Sequence, residues 1–344
     1  CKKKFMKNWP RLYTLADQIS ALKPWKFMKE DEIFGVMDPV TGACGYLSVM
    51  GNLGEHYCVT VYLGERALGQ YFELADQGPD SVPEMLFEIP QLMLSFEEKD
   101  SLEKEDRAVI KECGLTYTGN NLRPMFRSYR PGMVPWFLEE CEQESMVNYL
   151  EQFLDVAIRP DSRKKAENGR SSEKDVFLVR EFKTVGNTRI WHDTYRPVLI
   201  PPMEDLNIPI DSELLKKLGK FPLQKTIYEL DFFLTPVQVM GENNRPFFSY
   251  LFLLVNRQNE LVIATEVLNP SKGIDDMLIR IPGILLNIFN KNKSRPQAVY
   301  SASYRLGEIL FPLMNHLGIR FQFQPHPRSL EMAKRSLLEY LGRR

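Results

Sequence analysis

Hydrophobic residues follow a helical period at the start of the chain and a strand-like alternation soon after it. Apolar positions from Trp9 to Leu22 recur every three or four residues, which predicts an amphipathic helix that Pro24 ends. The segment Pro39-Val40-Thr41-Gly42 predicts a hairpin turn. Over the first 209 residues the pattern predicts strands at 33–38, 45–50, 56–63, 93–96, 175–182 and 188–195, and helices at 65–75, 108–112 and 138–156.

Some stretches of the first half lack such a period. Residues 97–107 form a mixed-charge run that we interpret as a solvated helix face. Residues 126–132 combine arginines, aromatics and turn residues and predict an irregular segment, and residues 159–174 predict a polar loop. A proline-punctuated linker ends near residue 210. We therefore expect an N-terminal α/β domain at 1–209 and a second domain at 210–344.

The second half predicts the element order β-β-β-α-β-α-β-α. Its strands are expected at 226–234, 246–256, 260–268, 297–301 and 319–323, and its helices at 275–289, 305–317 and 329–341. Three antiparallel strands followed by right-handed crossovers give a mixed five-stranded sheet with flanking helices. The first strand is apolar on both faces except for Glu229 and Asp231, which places it inside the sheet. A buried Asp231 needs a partner, for which Arg305 and Ser301 are candidates.

Composition narrows the class of protein. The 344 residues include 45 acidic and 44 basic side chains, a formal net charge of −1 that disfavours a globally basic nucleic-acid binder. The longest apolar runs, PFFSYLFLLV and IPGILLNIF, are shorter than the about 20 residues that a membrane helix needs, so we expect no membrane partner. The 5 cysteines include no CxxC pair, which predicts free thiols in a reducing, cytoplasmic compartment.

The histidines do not have the spacing of metal ligands. The 4 residues His56, His192, His316 and His326 form neither HxH nor HxxxH. We therefore predict no histidine-based metal site, and no cofactor for a non-catalytic protein.

Two short segments contain candidate binding residues. Glu55 and His56 follow two glycines between predicted strands and could form an acid–base pair if Glu55 lies in the turn. A structural turn with a satisfied His56 is the interpretation that we favour. Arg127 and Arg130 could bind a carboxylate or phosphate with forked donors. They could also tie their segment to carbonyls and carboxylates of the same domain, which we favour.

Basic residues are concentrated at the C-terminal end. Residues 291–344 contain ten basic and three acidic side chains, which leaves 34 basic and 42 acidic ones elsewhere. On a helix, Arg328 and Arg335 share one face with Lys334 near it. This region could bind nucleic acid or an acidic protein. A solvated face is the interpretation that we favour, and docking on the acidic remainder of the chain is a further alternative.

The order of elements from residue 226 to residue 341 resembles the ribonuclease H-like fold of ribonucleases H, retroviral integrases and DDE transposases. Asp231 lies where the resemblance implies a first metal-binding carboxylate, and Glu331 where it implies the closing glutamate of the transposases. The family also implies an aspartate after the fourth strand. This chain instead reads Val299-Tyr300-Ser301-Ala302-Ser303, so the metal site would have to recruit a helix carboxylate such as Asp275 or Asp276.

The whole chain also resembles an uncharacterised bacterial two-domain family without an assigned activity. The residues that carry this resemblance are GNLGEHY at 51–57, FRSYRPG at 126–132 and Pro135-Trp136. The resemblance implies a bacterial, cytoplasmic protein and an integrase-like second domain.

Two functions remain open at this stage. We expect a non-catalytic interaction protein with a degenerate ribonuclease H-like domain, because two-metal chemistry needs a full set of carboxylates. The alternative is a nucleic-acid-processing enzyme that uses Asp231, Asp276 and Glu331 with Mg²⁺ or Mn²⁺. Convergence of three carboxylates on one point would favour the enzyme.

Overall fold

The chain forms two compact units, each with its own β-sheet. The computed structural model describes residues 7–77, 83–119, 122–159, 176–201, 206–241, 244–270 and 273–342. Unit 1 comprises Cys1–Arg130 and Pro135–Pro202, and unit 2 comprises Pro131–Val134 and Met203–Arg344. The predicted loop at 159–174, apart from Arg159, and part of the predicted linker lie outside the described residues.

Unit 1 consists of a seven-stranded mixed sheet and the helices around it. The helices are α1 (Trp9–Leu22), α2 (Glu65–Gln77), α3 (Lys104–Glu112) and α4 (Glu140–Ala157), and the 3₁₀ turns are Pro24–Lys26, Pro83–Glu88 and Lys99–Ser101. The strands are β1 (Phe34–Met37), β2 (Cys44–Met50), β3 (Cys58–Leu63), β4 (Gln91–Glu97), β5 (Arg123–Tyr129), β6 (Val176–Val185) and β7 (Thr188–Pro197).

The sheet of unit 1 has the strand order β5-β4-β3-β2-β1-β6-β7. Every neighbouring pair is antiparallel except β1 and β6, which run parallel. The predicted hairpin between β1 and β2 is present, and the buried carboxylate of Asp38 accepts hydrogen bonds from the backbone N–H groups of Val40 and Thr41 in its turn.

Side chains that alternate along the strands bury both faces of this sheet. Leu47 belongs to the core formed with α1 and α4, which includes Leu12 and Phe153. Tyr46, one position earlier on β2, belongs to the core that includes Leu68 of α2. Both faces are therefore covered by helices, which explains why the central strands are nearly continuous apolar runs.

The prediction of an irregular segment at 126–132 is wrong for its first part. Residues Arg123–Tyr129 form strand β5, paired antiparallel with β4 along its full length. The structure can bury Arg127 in a strand because Asp106 neutralises its charge. Composition gave no sign of that distant carboxylate. The turn-like residues Pro131 and Gly132 follow the strand.

Unit 2 consists of a five-stranded mixed sheet with flanking helices. The helices are α5 (Ser212–Gly219), α6 (Ile274–Leu278), α7 (Ile281–Asn292), α8 (Tyr304–His316) and α9 (Arg328–Gly342). The strands are β8 (Leu223–Met240), β9 (Pro246–Asn256), β10 (Val262–Leu268), β11 (Arg295–Ser301) and β12 (Arg320–Phe323).

Strand β8 lies at the centre of the sheet order β10-β9-β8-β11-β12. It pairs antiparallel with β9 and parallel with β11. The first strand of unit 2 thus lies inside the sheet, as predicted. It is longer than the predicted strand at 226–234 and contains a register shift between Leu234 and Gln238. The chain as a whole is mixed α+β.

The helix predicted at 275–289 is two helices, α6 and α7. Pro282 occupies the first turn of α7, where its missing N–H group leaves no hydrogen bond unmade. An uninterrupted helix would have required that N–H group as a donor. The helix is therefore interrupted by a turn at Ile279 and Arg280.

The described helices include none with the length and apolar character needed to cross a membrane. Cys44, Cys58, Cys113 and Cys141 are all free thiols.

Candidate functional site

Strand β8 places two carboxylates on the face that α9 covers. Glu229 and Asp231 are two residues apart, so they point to the same side of the sheet, and both are buried, with 1% and 4% of their surface exposed. Leu251, Leu253 and Val255 of β9 form an apolar cluster with Leu330 of α9. Because an unpaired charge in such surroundings is costly, each carboxylate needs a partner.

The partner of Asp231 is Lys334 of α9. Its ammonium Nζ lies 2.7 Å from Asp231 Oδ2 and 4.6 Å from the centre of the Phe233 ring. The other oxygen, Oδ1, accepts the backbone N–H of Phe232 at 2.7 Å. The expectation of a positively charged partner is met by this lysine. Ser301 instead donates to the carbonyl of Ser303.

Lys334 also brings Asp231 and Glu331 together. Its Nζ lies 3.9 Å from Glu331 Oε1, one helical turn away. The side chain of Arg305, the other candidate partner, lies outside the described residues. The three groups form a chain of charges, carboxylate–ammonium–carboxylate, between β8 and α9.

Glu229 anchors the start of α9. Its Oε2 accepts the backbone N–H of Leu330 at 2.9 Å, and its Oε1 lies 3.6 Å from Nε of Arg257. The guanidinium of Arg257 lies 5.0 Å from the centre of the Tyr300 ring. A carboxylate at a helix N-terminus satisfies a free N–H group and the helix dipole. Sequence reasoning noted Glu229 only as a polar interruption; its two-residue spacing from Asp231 was the available signal.

This arrangement does not fit a pair of magnesium ions. Magnesium prefers oxygen ligands in octahedral geometry, and two-metal catalysis needs several carboxylates. Here an ammonium group contacts Asp231, and the fourth strand ends at the neutral Ser301. Among the described residues no three His, Cys, Asp or Glu side chains form a group that could hold a metal ion. The half-buried Asp276, in the first turn of α6, therefore does not join Asp231 and Glu331 in such a group.

Glu55 and His56 lie in the turn between β2 and β3, and both are exposed. Gly51 and Gly54 adopt positive φ angles of 120° and 83° there. A Cβ atom at Gly51 would lie 2.5 Å from the Tyr57 ring. The backbone conformation of the turn therefore explains both glycines, because residues with a side chain rarely adopt these φ angles.

Arg127 forms a buried, two-pronged ion pair. Its Nη1 and Nη2 lie 2.8 Å and 2.7 Å from the two carboxylate oxygens of Asp106, and its guanidinium lies 4.6 Å from the centre of the Phe137 ring. Burial alone would lower the pKa of Arg127, but the hydrogen bonds and charge of Asp106 outweigh it and raise the pKa. Asp106 also accepts the backbone N–H of Glu103, so the pair fixes β5 to the start of α3.

Arg130 plays a similar part at the start of α4. Its Nη2 lies 2.8 Å from both Glu139 Oε1 and Glu142 Oε1. Glu142 also accepts from Ser128 Oγ and from the backbone N–H of Glu139. Burial lowers the pKa of Arg130, and its two glutamate partners raise it by more. The structure thus pairs both arginines with carboxylates of their own unit.

The basic side chains of α9 lie on different faces. Arg328 and Arg335 are exposed, whereas Lys334 turns towards the sheet. Helical spacing placed Lys334 near the face of this exposed basic pair, but its ammonium group turns to Asp231 and does not add to the exposed charge. The cause is its position on the apolar face of α9, one turn after Leu330.

Comparison with protein families finds two matches along the chain. The family described as Domain of unknown function (DUF7309) matches residues 9–180, half of the chain. The family described as Domain of unknown function (DUF6930) matches residues 214–338. No curated protein matches the sequence. The two matches together describe a two-domain protein whose activity neither family assigns.

Proposed function

The chain belongs to the DUF7309 family, and we propose that its second unit, which the family DUF6930 matches, is a ribonuclease H-like domain that binds a partner and does not catalyse a reaction. The proposal places the protein in the bacterial cytoplasm, on the basis of its sequence resemblance and its free cysteines.

The topology of unit 2 supports the ribonuclease H-like assignment. An antiparallel meander, β8-β9-β10, is followed by β11 and β12, which continue the sheet in parallel on the other side of β8. This is the order that the sequence resemblance implies, with the first strand in the centre.

The observation that carries the non-catalytic role is the position of Lys334. Its ammonium lies 2.7 Å from Asp231 Oδ2 and 3.9 Å from Glu331 Oε1. A cation that is part of the chain therefore lies between the two carboxylates that the resemblance implies as metal ligands. A divalent ion would have to displace this ammonium, and the repulsion between the two cations opposes that.

A cleavage assay tests this proposal. Purified protein is incubated with single- and double-stranded DNA, RNA and RNA–DNA hybrids in Mg²⁺ or Mn²⁺, and we expect no cleavage. Cleavage that is lost in Asp231→Asn and in Glu331→Gln, but kept in the control Glu339→Gln on the exposed side of α9, would replace the proposal by the enzyme alternative.

Manganese binding gives a second readout. Lys334→Ala removes the ammonium and leaves the carboxylates of Asp231 and Glu331, so this variant should bind Mn²⁺ more tightly than the unmodified protein, as measured by calorimetry. Tight binding of two ions by the unmodified protein would contradict the proposal.

The proposed partner surface is the exposed basic part of the C-terminal region. Arg328 and Arg335 extend from α9 into solvent, and nucleic acid and acidic proteins are the partner classes that this charge suits. Arg328→Gln combined with Arg335→Gln should weaken partner binding and reduce its dependence on salt concentration, while substitutions at Lys334 should act through stability.

A further inference from the structure

A groove on unit 1 is lined by four cations, and none of the described residues that line it is acidic. Its volume is about 380 Å³. The cations are Lys99 of the 3₁₀ turn, Arg107 and Lys111 of α3, and Arg123 at the start of β5. Three of the four positive side chains between residues 97 and 112 thus line the same groove.

Three of these cations form no ion pair with the described residues. Lys99, Arg107 and Lys111 are exposed, and the described part of the chain offers none of them an ion pair. Arg107 and Lys111 are four residues apart on the same face of α3, where like charges repel and destabilise a helix. A bound anion would remove that repulsion.

Arg123 differs from them because it is buried and held in place. Only 8% of its surface is exposed. Its Nη2 donates to the backbone carbonyls of Tyr117 and Gly119, at 3.4 Å and 3.3 Å. A guanidinium with a fixed orientation is the usual means by which proteins recognise phosphate or carboxylate oxygens.

The remaining lining of the groove is largely apolar. Leu102 and Ile110 are buried, and Leu115 and Tyr117 are half-buried. The hydroxyl of Tyr117 donates to Asp17 Oδ1 at 3.0 Å, which holds the aromatic ring in position. The groove therefore combines concentrated positive charge with an apolar and aromatic surface, in the size range of small-molecule sites.

We propose that this groove binds a small organic phosphate, with its phosphate groups among the four cations and its apolar or aromatic part against the other lining residues. A small ligand is favoured over a nucleic-acid strand by the charges nearby. Glu98, Asp100, Glu103 and Glu105 are exposed next to the lining residues in sequence, and they would repel a longer polyanion. The site is independent of the function proposed for unit 2.

Calorimetric titration of the full chain tests the proposal with four probes: ADP, pyrophosphate, adenosine and a short single-stranded oligonucleotide. We expect ADP to bind more tightly than the other three, with an affinity that falls as salt concentration rises. Absence of ADP binding, equal affinity for pyrophosphate, or preference for the oligonucleotide would each overturn the proposal.

Two variants locate the binding site. Arg107→Gln combined with Lys111→Gln should weaken ADP binding by about tenfold or more, because two charge-assisted contacts are lost. The matched control, Arg66→Gln with Lys104→Gln, changes the charge equally at exposed helical positions outside the groove and should leave affinity unchanged. Equal effects of the two double variants would place binding elsewhere and refute the site.

A third variant separates the two halves of the site. Tyr117→Leu should weaken ADP binding and leave pyrophosphate binding unchanged, since it removes the aromatic ring and its hydrogen bond to Asp17 but none of the four cations. Circular dichroism verifies that each variant is folded. An unchanged ADP affinity in a folded Tyr117→Leu variant would contradict the apolar half of the proposal.

Discussion

Two arginines of unit 1 form ion pairs of similar length but at different depths. Arg127 of β5 and Asp106 of α3 are both nearly inaccessible, with 6% and 5% of their side chains exposed, and form a two-pronged contact. Arg130 makes comparable contacts, but 40% of its side chain is exposed. Solvent screens that pair, so similar distances correspond to different contributions to stability.

Replacement of the two arginines by methionine should show this difference. Arg127→Met leaves Asp106 as a buried charge without its main partner and should lower the free energy of unfolding by about 3 kcal/mol. Arg130→Met should lower it by at most about 1 kcal/mol. Urea unfolding measures both, and equal losses would contradict the dominant role of burial.

Thiol reactivity should follow the same rule of burial. Burial raises the pKa of Cys44 and of Cys58 to about 11, so at pH 8 only about one in a thousand of these thiols is the reactive thiolate. Cys141 is exposed. In the native protein, iodoacetamide should modify Cys141 first and leave Cys44 and Cys58 unmodified, as peptide mass spectrometry would show. All three should react in urea, where burial is lost.

At the scale of elements, periodicity predicted most helices and strands, and distant contacts explain what it missed. Strand β9 was predicted with its observed bounds because its apolar run is continuous. Strand β5 was missed because the neutralisation of Arg127 by Asp106 is not visible in a local window. For the candidate site, Asp231 was found from its apolar surroundings, whereas Lys334 was noted only as lying near a basic helix face and not as the partner of Asp231.

Helix α9 should depend on Glu229 for its first turn. Glu229→Met removes the acceptor of the Leu330 N–H group and a partner of Arg257, and should cost about 2 kcal/mol of stability. Glu229→Gln keeps an oxygen acceptor but loses the charge at the helix N-terminus, and should cost about 1 kcal/mol. Amide exchange at Leu330 should be faster in Glu229→Met than in Glu229→Gln. Identical exchange in both variants would show that the hydrogen bond does not hold the helix.

At the scale of the whole molecule, the chain enters unit 2 before unit 1 is complete. Pro131–Val134 belongs to unit 2, whereas Arg130 and Pro135 belong to unit 1. Within unit 2, Gly132 O accepts the backbone N–H of Phe248, and the N–H of Val134 donates to the carbonyl of Pro246. These four residues belong to unit 2 because they contact residues more than 100 positions further along the chain. No local sequence pattern indicates such distant contacts. The composition of residues 126–132 predicted only an irregular segment there.

Gly132 should therefore control the stability of unit 2, although it follows a strand of unit 1. Its φ angle is +76°, and a Cβ atom would lie 2.5 Å from Pro270 Cβ. Gly132→Ala should lower the stability of unit 2 by about 3 kcal/mol, through backbone strain and this contact. Gly318→Ala is the matched control in the same unit, because its φ angle is +67° and its nearest contact would be an ordinary 3.8 Å. It should cost only the strain, about 1 kcal/mol. Amide exchange at Phe248 should accelerate in Gly132→Ala, while exchange along β2 and β3 of unit 1 stays unchanged. Equal losses in the two variants would show that the segment does not stabilise unit 2.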